Sequence, residues 1–153
     1  MKTLVVFYSR TGSTKKIAGD LAKKLDADLD EIIDHTNRSG IKGWILGGRD
    51  AMKKSLTEIS IKKNPKNYDL VVIGTPIWVG ASTPAFRTYL TQFKNDLKKA
   101  AIFTTSGSDG PEKTVAVFEN ITDQKCFASF GLTGSDLSQN YDSKLNEFVK
   151  KLK

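Results

Sequence analysis

The sequence predicts an α/β fold: a doubly wound five-stranded parallel sheet with helices on both faces, in a single domain over residues 1–153. Three observations carry this. Short apolar runs of strand length recur along the chain. They alternate with stretches in which apolar residues return every three or four positions. The length suits one hydrophobic core. Strands alternating with helices imply a parallel sheet, and right-handed crossovers leave few ways to order five strands.

Thr3–Tyr8 is a continuous apolar run, as a strand buried on both faces should be. Ser9–Thr14 is a polar turn, and Lys15–Leu25 carries Ile17, Leu21 and Leu25 at helical spacing. Leu29–Ile33 reads as the second strand and Leu70–Ile73, closed by Gly74, as the third. Thr83 suits an N-cap and Pro84 the first turn of a helix striped by Phe86, Leu90, Phe93 and Leu97. Ala100–Thr104 and Cys126–Phe130 are the fourth and fifth strands, with a helix over Pro111–Glu119 between them. Leu145, Phe148, Val149 and Leu152 stripe a final helix. Thr36–Lys66 is the one irregular region, and the spacing predicts an extra turn of helix around Trp44–Lys54.

Apolar residues make up 39% and charged residues 27% of the chain, a globular mixture. No apolar run is long enough for a membrane span. The N-terminus enters a strand at once, without a signal-peptide pattern, so a cytoplasmic location is the default expectation. The single cysteine, Cys126, excludes an intramolecular disulfide and a multi-cysteine metal site. The formal charge is +7. Arg38, Lys42, Arg49, Lys53, Lys54, Lys62, Lys63 and Lys66, against Asp50 and Glu58, place six of those seven charges in the irregular region. Such a segment is either a solvated basic surface or a docking face for an acidic partner. No nucleic-acid motif accompanies it.

In an open parallel sheet, ligands bind beyond the carboxyl ends of the strands. After the first strand comes S-R-T-G-S-T, Ser9 to Thr14. Hydroxyls, backbone N–H groups and a helix start crowd together there, which suits a phosphate. Gly12 permits the tight curl. Neither G-x-x-x-x-G-K-[ST] nor G-x-G-x-x-G occurs at this place. After the third strand comes T-P-I-W-V-G-A-S-T-P, in which Trp78 offers a plate for a flat ligand. After the fourth comes T-T-S-G-S-D-G-P-E-K, a polar wall. A phosphate cradle, an aromatic plate and a polar wall suit a mononucleotide with a planar head.

Strand, then S-R-T-G-S-T, then helix resembles the phosphate loop of the flavodoxin family. T-P-I-W-V-G-A-S-T-P-A-F is similar to the flavodoxin loop beside the isoalloxazine. The likeness spans nearly the whole chain and implies strand order 2-1-3-4-5, FMN as cofactor, and electron transfer to a redox partner docking near the flavin edge. It implies that Ser9, Arg10, Thr11, Gly12, Ser13 and Thr14 hold the phosphate. Thr75, Pro76 and Ile77 would border the ribityl chain and ring. Trp78 would pack on the ring, and the peptide around Val79 and Gly80 would approach N5. Thr105, Ser106, Gly107 and Asp109 would face the pyrimidine edge. Two features depart from the family: the chain is basic rather than acidic, and its third loop lacks an aromatic. Trp44 and Tyr8 are the other candidates for the second ring face.

Other residues read as structural. His35 and Arg87 are expected to be solvated, Cys126 to open a buried strand, and Trp44 to anchor the irregular segment. Three functions stay open: an electron carrier, a small FMN-dependent reductase of a quinone or similar acceptor, and a non-redox binding domain that has lost its flavin.

Overall fold

The computed structural model describes residues 1–36 and 56–153. Among the described residues, five parallel strands, β1 (Thr3–Phe7), β2 (Asp28–Glu31), β5 (Leu70–Trp78), β7 (Ala100–Thr105) and β8 (Ser129–Leu132), form the body of the sheet, with a short antiparallel strand added at one of them. They lie in the order β2-β1-β5-β7-β8, the 2-1-3-4-5 arrangement. Successive strand residues point to opposite faces. Val5, Phe7, Val72, Ala101 and Phe103 therefore pack against α1 (Ser13–Leu25) and α5 (Tyr141–Leu152). Leu4, Val6, Val71, Ile73 and Ile102 pack on the other face against α2 (Pro84–Phe93) and α3 (Glu112–Thr122). A short helix, α4 (Gly134–Gln139), precedes α5.

Gly74 stands opposite both Phe7 and Phe103 in the central strands. A Cβ at Gly74 would lie 2.0 Å from the Phe103 ring, so the glycine makes room for the aromatic.

Several boundaries differ from the sequence reading. Helix α1 starts at Ser13 because Gly12, at φ 100°, turns the chain one residue earlier. Strand β5 does not close at Gly74. It runs on to Trp78, first paired with β7 and then with the antiparallel β6 (Ala81–Ser82). The fifth strand is Ser129–Leu132, so Cys126 precedes it instead of opening it. The Cys126 Sγ donates to the Ala128 carbonyl at 3.1 Å, and burial pushes its pKa up. Arg87 is 5% exposed, not solvated, and burial pushes its pKa down.

The irregular region leaves and rejoins the sheet through a ribbon, β3 (Ile33–Asp34) paired with β4 (Ile59–Ser60). Asp34 accepts hydrogen bonds from the Thr36 N–H at 2.9 Å and the Thr57 hydroxyl at 2.7 Å. His35 is exposed, and its ring meets the Ser60 hydroxyl across the ribbon. The expected helix around Trp44–Lys54 lies outside the described residues.

An inward aspartate on the edge strand β2 was not foreseen. Asp30 is 5% exposed and accepts the backbone N–H groups of Glu31 at 2.9 Å, Lys62 at 2.9 Å and Lys63 at 2.7 Å. A buried carboxylate needs such donors. Here they tie the returning chain to the sheet edge.

Candidate functional site

The predicted loops meet at the carboxyl ends of β1, β5 and β7. Ladder bonds hold their roots: the Tyr8 N–H donates to the Gly74 carbonyl at 3.0 Å, and the Ser106 N–H to the Leu132 carbonyl at 3.1 Å.

In the first loop, Thr11, Gly12 and Ser13 are exposed, Ser9 and Arg10 half-buried, and Thr14 buried. The Gly12 N–H donates to Ser9 Oγ at 3.0 Å, which curls the loop and leaves the Ser9 O–H to donate elsewhere. Gly12 is the N-cap of α1, and no side chain caps this helix start. The first turn of a helix has N–H groups without internal acceptors, and they favour an anion. No acidic residue stands in that turn to compete. Nothing lies within 4 Å of where a Gly12 Cβ would be, so the cradle is open. The hydroxyl of Thr14, 2% exposed, pairs with that of Thr105 at 2.9 Å.

The second segment is a hairpin rather than a free loop. Trp78 pairs with Ala81 across the antiparallel ladder, and only Val79 and Gly80 connect the strands. Both have positive φ, 52° and 70°, as a type I′ turn requires. Glycine adopts this readily, whereas a β-branched valine does not. Val79 is 57% exposed at the tip. Trp78 is half-buried and meets the Tyr8 ring edge-on, with centroids 5.6 Å apart and planes at 76°. Tyr8 is 6% exposed in the core, so it braces Trp78 from beneath. The root of the hairpin is fixed by a buried pair, Thr75 Oγ1 to Thr83 Oγ1 at 2.9 Å.

In the third loop, Ser106 Oγ donates to the Asp109 carbonyl at 2.5 Å. Gly107, Ser108 and Asp109 are exposed. Thr105 is not part of this open wall. It closes β7, is 7% exposed, and stands opposite Pro76 and Leu132. The structure thus brings the predicted residues of all three segments to one sheet edge.

Among the described residues, no group of three or more His, Cys, Asp or Glu could hold a metal ion. The donors that are present, an uncapped helix start, exposed hydroxyls and a braced indole, fit a phosphorylated planar ligand.

The sequence profile of the flavodoxin family matches residues 2–149. The chain belongs to the flavodoxin family. Among solved structures, the chain is similar to a flavoprotein from Lactobacillus acidophilus NCFM, determined in complex with FMN. The two are 27% identical with a TM-score of 0.73, over 90% of this chain and 97% of that one. Oxidised flavodoxin 1 from Bacillus cereus shares the fold at 18% identity and a TM-score of 0.56, over 99% of this chain and 97% of that one. A flavone reductase also shares the fold, at 16% identity and a TM-score of 0.60. That match covers 99% of this chain and 60% of the reductase. Comparison with curated protein sequences gives no match. No helix among the described residues is long and apolar enough to cross a membrane.

Proposed function

We propose that this flavodoxin-family chain binds FMN non-covalently at the carboxyl edge of its sheet and passes electrons through it to a redox partner. The observation that carries this reading is the open loop Ser9–Thr14, leading into an uncapped helix beside the braced indole of Trp78. Ser9, Thr11, Ser13 and the first-turn N–H groups would hold the phosphate, with Arg10 as a cation in the same loop. Thr75, Pro76 and Ile77 would border the ribityl chain and ring, and Trp78 would pack on the ring. The Val79–Gly80 turn would meet the N5 side, and Ser106, Gly107 and Asp109 the pyrimidine edge. FMN, when bound, supplies the redox chemistry, while the protein binds, orients and tunes it.

A second reading is a small FMN-dependent reductase acting on a quinone or similar acceptor. It is favoured by the lack of an aromatic in the third loop and by the edge-on contact that commits the buried Tyr8 ring to Trp78. An open ring face would admit a small acceptor.

The purified protein should be yellow, and heating should release FMN as the main flavin. FAD as the main species, or no flavin and no binding of added FMN, would sink the proposal. Turnover of a nicotinamide donor with a quinone would then favour the reductase, and its absence the carrier.

A further inference from the structure

The hydroxyl pair Thr14–Thr105 joins residues 91 positions apart, the first turn of α1 to the last residue of β7. Both side chains are more than nine-tenths buried. Sequence position alone places Thr105 in the third loop, facing the pyrimidine edge. Its hydroxyl instead points under the sheet edge at Thr14, two residues beyond Gly12 in the phosphate cradle. The start of α1 has no side-chain cap, and its first turn is held by the backbone bond from the Lys16 N–H to the Gly12 carbonyl at 3.0 Å. The Thr14–Thr105 hydrogen bond adds a buried side-chain tie from that turn to β7.

Either hydroxyl can donate in this pair. Two hydroxyls that share one hydrogen bond leave one O–H over. When Thr105 donates, Thr14 accepts and keeps its own O–H for an oxygen in the loop. A valine at position 105 would keep the shape and remove the donor. It would leave the Thr14 oxygen buried without its partner.

We propose that Thr105 is a positioning residue of the phosphate site, acting through Thr14, and is not a contact of the flavin ring. This rests on the FMN reading above. Its signature is selectivity: FMN carries the phosphate and riboflavin lacks it, while both carry the same ring.

The test is titration of the flavin-free full-length protein with FMN and, separately, with riboflavin. Thr105→Val should raise the Kd for FMN by roughly 3- to 10-fold, the range for one net hydrogen bond. The Kd for riboflavin should stay within about twofold of wild type. Thr105→Ser, which restores the hydroxyl, should recover FMN binding. Equal losses for the two ligands, or an unchanged Kd for FMN, would overturn the proposal. A merely structural role would also weaken both alike. If Thr105→Val does not fold, Thr105→Cys, with a much weaker donor in a similar shape, is read in the same way. A wild-type protein that binds neither ligand would overturn the FMN reading itself, which is a different outcome from a lost selectivity.

Discussion

In the proposed FMN site, the ring half depends on Trp78. It ends β5, pairs with Ala81 across the hairpin, and rests edge-on against Tyr8. A ring so braced loses little rotamer freedom when a ligand stacks on it, so most of the stacking energy appears as affinity. Aromatic stacking adds about 0.5–1.5 kcal/mol beyond burial. Trp78→Ala should therefore weaken flavin binding by at least several-fold and raise the fluorescence of the bound flavin, because an adjacent indole quenches it. FMN titration followed by emission checks both. Unchanged affinity and emission would place the ring elsewhere. Trp78 stood out in the sequence because a large aromatic followed a strand run. Its brace did not, because Tyr8 reads as the last residue of a buried strand and nothing local shows which ring it meets.

Helix α4 and its junction with α5 depend on one carboxylate. Asp136 accepts from the Thr133 N–H at 2.9 Å and the Thr133 hydroxyl at 2.9 Å, completing a capping box. Lys144 Nζ lies 2.7 Å away, from α5. Lys144 and the Thr133 donors hold the Asp136 carboxyl down at about 2, below its ordinary 3.8. A carboxyl depressed in the folded state stabilises above the unfolded value and stops doing so as pH falls through the folded one. The contribution should be full above about pH 4 and lost toward pH 2. Urea midpoints of wild type and Asp136→Asn should thus differ at pH 6 and converge between pH 4 and 2. A difference that persists at pH 2 would mean that the charge does not matter. The sequence reading missed α4 altogether, since G-S-D-L-S-Q is short and polar and its stability comes from the cap and Lys144. The same holds for Asp30, whose carboxylate is buried by a chain returning some thirty residues later. The five strands and the long helices were legible because their signal is local, in apolar runs and periodic stripes. The longer β5 was not, because Thr75–Trp78 owes its extension to pairing with β7 and β6.

The charge of the whole molecule bears on the potential of a bound flavin. Adding an electron makes the flavin more negative, so a protein of formal charge +7 favours the reduced form. Some of the cations are locally paired and add little to that field: Lys16 lies 3.0 Å from Asp20, Lys15 3.8 Å from Glu31 and Lys63 3.9 Å from Asp28. Residues 37–55 carry Arg38, Lys42, Arg49, Lys53 and Lys54 against Asp50 alone. The described chain that leads toward that stretch leaves the sheet beside the first strand's end. Ile32, which leads into β3, donates its N–H to the Phe7 carbonyl at 2.7 Å, two residues before the phosphate loop. One unbalanced charge about 12 Å from the ring, at an effective dielectric near 40, is worth about 0.7 kcal/mol. For one electron that is on the order of 30 mV. The Debye length falls from about 30 Å at 0.01 M salt to about 3 Å at 1 M, so added salt removes most of this. The flavin potential should therefore be higher at low salt and fall by tens of millivolts as salt rises. Association with any acidic protein partner would slow over the same range. Spectroscopic redox titration at the two salt concentrations measures the first effect directly. A potential that does not move would show that the basic residues only face solvent and leave the flavin untouched.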